Sequence, residues 1–269
     1  MHPRVCLHQV ACMGEPTAEF IDHCRKLGVQ HMTLVTPKLF QPGETESALG
    51  ALAAGGTDCH TVNHPMAMGR TLDTVGAEES EALLRAIAVA AELGAANIYL
   101  VSGGRGKLLW DDAAARFAEL LAPCLGPAQD RGVRLLVETA SHLNADMHLA
   151  HTLDDTLRLA EIAGIGVCIE LAACWFEADL PAKFRRALPL TGLVQISDYV
   201  AGDRTTPNRA VPGDGMVPNA WLLRELLDAG YEGVFDLELV GPRIEAEGGC
   251  AATRRAAENL SELLTELGA

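Results

Sequence analysis

The strongest constraint on this chain is a rhythm. Eight short apolar runs, each ending in polar residues and each followed by a longer stretch with helical spacing, recur along its 269 residues. They are VCLHQV (5–10), MTLVT (32–36), CHTVNH (59–64), NIYLVS (97–102), RLLVE (134–138), GVCIE (166–170), LVQIS (193–197) and GVFDLEL (233–239). Their starts lie 27 to 40 residues apart, the length that a strand, a helix and two loops occupy. The first three helical stretches carry legible boundaries. One opens at Glu15-Pro16-Thr17 and closes at Gly28; the next opens at Glu44-Thr45-Glu46 and stops before Gly55-Gly56; the third opens on Glu78-Glu79-Ser80-Glu81 and ends at Gly94. AATRRAAENLSELLTELG (251–268) reads as the eighth outer helix.

Eight strand-plus-helix units without a linker or a shift in composition predict an α/β fold, a single (β/α)8 barrel of the TIM type, as one domain over residues 1–269. A doubly wound open sheet is the alternative, but its glycine fingerprint does not follow the first run; Gly103-Gly104-Arg105-Gly106 follows the fourth run instead and reads as a barrel loop. Formal charge is −15, which disfavours phosphate backbones and anionic membranes as partners and favours a small-molecule substrate. No stretch of about 18 apolar residues occurs, and the opening MHPRVCLHQVACMG lacks the pattern of a signal peptide. Eight scattered cysteines without a Cys-x-x-Cys pair suit reduced core residues of a cytoplasmic protein.

In such a barrel the active site lies at the C-terminal ends of the strands, so the polar residues that close each run are the informative ones. Glu138, Glu170, Gln195 and Glu238 close the last four. Side chains alternate across a strand, so one parity points inward, and four neighbouring strands can bring these groups to one point. Singly, each is as readily a solvated strand-end residue; in four successive units they point to a metal site. Three convergent carboxylates repel one another unless a cation joins them. An all-oxygen donor set selects Mg²⁺ or Mn²⁺ over zinc.

LLVETASH, GVCIELAACW, LVQISDYV with VPGDG behind it, and GVFDLELVGP resemble the metal-binding strand ends of the xylose-isomerase-like sugar phosphate isomerase/epimerase superfamily, from about residue 133 to 243. The resemblance places the metal ligands at Glu138, Glu170, Gln195 and Glu238, where most members carry Glu, Asp, His and Glu; glutamine at the third position resembles the hydroxypyruvate isomerase branch. It implies an isomerase or epimerase in which Glu138 and Glu238 move a proton beside a substrate carbonyl through an enediolate. Dehydratases of the same superfamily are the nearest alternative. An abasic-site endonuclease and a barrel without catalysis stand further off, the former because its site is rich in histidine. The His and Arg that many epimerases carry three and six residues after the second and third ligands are Ala173 and Ala201 here. Homo-oligomers are common among such barrels.

Further candidates lie on the same face. His8 and His64 close the first and third runs, and His142 stands four residues after Glu138, where it could orient that carboxylate. Trp175 and Phe176 could offer the substrate an apolar wall. Arg204, Arg209 and Arg243 follow the seventh and eighth runs, where barrels often hold an anion. Asp198 and Asp214 read as loop-ordering residues, and Asp236 as a deeper group paired with a base such as Arg134.

Overall fold

The eight runs become eight parallel strands. In the computed structural model, which describes residues 1–269, these are β1 (Val5–His8), β2 (His31–Val35), β3 (Asp58–Pro65), β4 (Asn97–Val101), β5 (Arg134–Glu138), β6 (Gly166–Glu170), β7 (Thr191–Ile196) and β8 (Phe235–Leu237). Each pairs with the next in sequence and β8 returns to β1, closing the barrel. An open sheet is excluded. Closure leaves no free edge, and every strand is covered outside by helices.

The helices are α1 (Thr17–Leu27), α2 (Thr36–Leu39), α3 (Glu44–Leu52), α4 (Glu78–Glu92), α5 (Trp110–Asp130), α6 (Leu153–Ala163), α7 (Leu171–Cys174), α8 (Leu180–Ala187), α9 (Asn219–Asp228), α10 (Pro242–Glu247) and α11 (Gly249–Leu267). The legible boundaries hold: α1 stops at Gly28, whose φ of 71° ends the helix in the left-handed conformation. Acidic residues fill the first turn of α4, beside the positive end of its dipole. None of these helices is long and apolar enough to cross a membrane.

Alternation along the strands sorts the apolar side chains into two sets. Outward residues such as Leu7, Leu34, Val62, Ile98, Val137, Ile169, Val194 and Leu237 join the inner faces of the helices in one large cluster. Inward residues Cys6, Tyr99, Leu136, Cys168, Leu193 and Val234 form a second, smaller cluster inside the barrel. Small residues are required where inward layers crowd: a Cβ on Gly166 or Gly192 would lie 2.6 or 2.7 Å from the Leu136 side chain. Arg134 does not reach Asp236. It begins β5 at the N-terminal rim, where its guanidinium donates to the Leu190 and Thr191 carbonyls, whereas Asp236 sits mid-strand with neither oxygen hydrogen-bonded and burial raising its pKa.

Candidate metal centre

Glu138 and Glu170 are the last residues of β5 and β6, and Glu238 follows β8 directly. Their parity turns all three inward at the C-terminal mouth, where their carboxylate oxygens lie within 4.8 Å of one another. Two oxygens are fixed by the chain. Glu170 Oε1 accepts from the Ala172 amide at 2.8 Å, in the first turn of α7, and Glu238 Oε1 accepts from the Tyr99 hydroxyl at 2.9 Å. Tyr99 in turn sits 2.7 Å from His8 Nε2, while His8 Nδ1 accepts from the Val10 amide, so the ring proton is on Nε2 and is donated toward Tyr99.

One cation already faces the cluster. Arg209 Nη2 lies 3.1 Å from Glu170 Oε2 and 3.8 Å from Glu238 Oε2. The closer approach is off the hydrogen-bond axis, and Glu170 Oε2 is buried without a hydrogen bond. Electrostatics separate the three acids. Burial, reinforced by Glu238 and Glu170, pushes Glu138 well above the usual carboxylate range. Burial raises Glu170 to about 7 against the pull of Arg209. At Glu238 burial opposes ionisation, but His8, Arg209 and the Tyr99 hydroxyl outweigh it and hold the group below its ordinary value.

The other expected residues divide. Gln195 is the register partner of Glu170 and is fully buried, but its amide oxygen accepts from the Cys168 thiol at 3.2 Å, deeper in the barrel, and its nitrogen has no partner. A half-turn of its terminal torsion would exchange the two atoms. His8 lines the cavity above the carboxylates, whereas His64 does not. β3 runs on to Pro65, so Asn63 and Pro65 face inward and His64 faces out, bonded to Thr36 at 2.8 Å and held neutral by burial with a pKa of about 4. His142 is exposed on a short turn and makes no side-chain hydrogen bond, so it does not orient Glu138. Trp175 and Phe176 meet edge to face outside the cavity, because α7 carries the chain away from the mouth. Arg204 points to solvent, and Arg243 is spent on Asp203 in an exposed two-bond pair. Asp198 orders its loop as expected, accepting from the Tyr199, Gly213 and Val217 amides, while Asp214 pairs with Arg255.

Tyr99, His148 and Asn63 face the cavity without being singled out by the runs. His148, buried in the loop after β5, has an unpartnered Nδ1. Asn63 has an unpartnered Nδ2. The cavity holds about 480 Å³.

The model of the xylose isomerase-like TIM barrel family matches residues 21–265. No curated protein matches the sequence. A solved structure from Sinorhizobium meliloti 1021 superposes with a TM-score of 0.83 at 22% identity, covering 98% of both chains. An IolI protein with a bound zinc atom gives 0.81 at 14% identity over 98% of both chains. An L-ribulose 3-epimerase gives 0.80 at 17% identity over 100% of this chain and 96% of its own. Neighbours of the same fold also include a probable dehydratase and an AP endonuclease, so architecture alone does not choose the chemistry.

Proposed function

The chain belongs to the xylose isomerase-like TIM barrel family, and from that premise we propose that it is a divalent-metal-dependent isomerase or epimerase that moves a proton next to the carbonyl of a small hydroxy-carbonyl compound. The observation that carries this reading is the convergence of Glu138, Glu170 and Glu238 at the mouth of the barrel. Three carboxylates and one guanidinium leave two negative charges uncompensated, the charge a divalent ion neutralises, and Glu170 Oε2 is a buried acceptor without a hydrogen bond. Glu138, Glu170 and Glu238 would hold the ion, with Gln195 beside them as an amide donor once its oxygen turns upward; the oxygen set suits Mg²⁺ or Mn²⁺. Bound there, the ion would polarise the substrate carbonyl and lower the cost of the enediolate.

The remaining work falls to the chain itself. Glu238, whose surroundings favour its ionised form, is suited to take the proton beside the carbonyl, and Glu138, converging on the same mouth from β5, is suited to return one. They arrive from β5 and β8, three strands apart, so they can address different faces or neighbouring carbons of a substrate lying between them. Tyr99, backed by His8, fixes the direction of the Glu238 carboxylate. A small-molecule partner in place of nucleic acid and a cytoplasmic setting for eight unpaired cysteines go with this function.

Calorimetric titration of chelator-treated protein with Mn²⁺ tests the site, and transfer of deuterium from D₂O to the carbon beside the carbonyl of α-hydroxy ketones tests the chemistry. Expected is metal binding weakened in Glu138→Gln and Glu238→Gln, and exchange without loss of water. Equal affinity in all three proteins would remove the metal site; elimination in place of exchange would turn the reading to a dehydratase.

A further inference from the structure

The cavity over the carboxylates has two unlike halves. Its floor presents Glu138, Glu238, Arg209 and His8, all charged or polar. Its walls are built from Met13, Met68, Met147, Pro65, Pro207 and Val240, which offer a ligand only carbon and sulfur. These six arrive from the ends of β1, β3, β5, β7 and β8, so the apolar surface encircles the mouth and is not one core face breaking through. Met13 and Met68 are 37% and 59% exposed, so their side chains are open to a ligand entering the mouth. Methionine is also the side chain that adapts most readily to a varied apolar shape.

A polyol would fare poorly against such walls, because each hydroxyl taken from water without a partner costs about 1–3 kcal/mol. Few partners are on offer. Thr206 donates to Asn144 Oδ1 across the mouth, and the unpartnered buried polar atoms of the lining are Asn63 Nδ2 and His148 Nδ1. A phosphate has no seat either: Arg209 is the single cationic side chain of the lining and faces two carboxylates, while Arg204 and Arg243 lie outside. The volume of about 480 Å³ corresponds to roughly sixteen water molecules, more room than a three-carbon hydroxy-carbonyl unit needs.

We propose that the substrate is an unphosphorylated α-hydroxycarbonyl compound bearing an apolar alkyl or aryl substituent. Its hydroxy-carbonyl end lies on the floor between Glu138 and Glu238, one or two further polar groups meet Asn63 and His148, and the substituent packs against the methionines and prolines. This specificity rests on the metal-dependent proton-transfer reading given above.

Two hydroxamates that differ only in their substituent test it. Both chelate a divalent ion through the same two oxygens, and both imitate the planar enediolate. Mn²⁺ is first titrated into the protein; glycolohydroxamate and benzohydroxamate are then titrated into the Mn²⁺-loaded protein by calorimetry, with their affinities for free Mn²⁺ as reference. Expected is a preference for benzohydroxamate of about tenfold or more beyond that reference, the size expected from burying a phenyl group. The double variant M68Q/M147Q should narrow it to about threefold. Equal affinities, or a preference for glycolohydroxamate, overturn the proposal while the metal reading stands. A preference that survives intact in the double variant overturns the wall assignment. Failure of the wild-type protein to bind Mn²⁺ overturns the metal reading and this proposal together.

Discussion

Replacing Arg209 by methionine tests whether its guanidinium is what allows three acids to share a buried mouth. Arg209 Nη2 stands 3.1 Å from Glu170 and 3.8 Å from Glu238. At an effective dielectric of about 20, each attraction is worth about 4–5 kcal/mol before desolvation is subtracted. Removing one partner of a buried pair typically costs about 3–5 kcal/mol, because the other is left uncompensated. For a chain of this length that lowers the melting temperature of the metal-free protein by about 10 °C. The loss must depend on pH. Glu170 has a folded pKa of about 7 against an ordinary value of 4.5, so its ionisation is disfavoured by folding: stability is highest below 4.5 and falls as pH rises through 7. Without Arg209 that midpoint moves higher, and the decline continues above 7 at up to about 1.4 kcal/mol per pH unit. Urea unfolding of chelator-treated wild type, Arg209→Met and Arg209→Lys at pH 5, 7 and 9 should show a gap that widens with pH for methionine and less so for lysine. Saturating Mn²⁺ should narrow it, since a divalent ion supplies the missing charge. A gap of constant size from pH 5 to 9, or none at all, would refute the charge-compensation argument.

Tyr99→Phe removes the donor to Glu238 while keeping the ring; the rate of deuterium exchange should fall by about tenfold with little change in apparent KM, the size of one lost hydrogen bond of about 1–1.5 kcal/mol. Burial depresses His60 to about 4 and His148 to about 3, so each favours the folded state above pH 6.5 and withdraws that stability as pH falls toward those values. Acid titration followed by circular dichroism should show His148→Gln unfolding at a lower pH than wild type; an unchanged midpoint would mean the ring is not buried neutral. Gly104→Ala would put a Cβ 2.4 Å from the Asp146 carbonyl oxygen, and the displaced loop should cost about 1–3 kcal/mol in thermal unfolding; an unshifted melting temperature would show that the loops after β4 and β5 do not pack as described.

What the sequence made legible follows from which forces set each position. A barrel strand is buried on both faces, so its apolar run is visible whatever surrounds it, and a carboxylate that ends the run must stand at the mouth. Glu138, Glu170 and Glu238 were readable for that reason. His64 closes its apolar run, but β3 continues to Pro65, and since a shift of one reverses every side chain the inner face goes to Asn63. The strand of Gln195 is legible from its run, but the direction of its amide is set by Cys168, a neighbour in space supplied by β6. Loop residues carry no period at all. Arg204, Arg209 and Arg243 are equivalent as letters, and what selects Arg209 is backbone pairing: its amide donates to Val240 beyond β8, and the next residue, Ala210, bridges to Asp198 beyond β7. Those two ties pin one arginine between the ends of β7 and β8, within reach of Glu238 and of Glu170 on β6, while Arg204, five residues earlier, is left in solvent. The apolar wall escaped in the same way, since methionines from separate loops become one surface only after the barrel has closed and brought the loops to a common mouth.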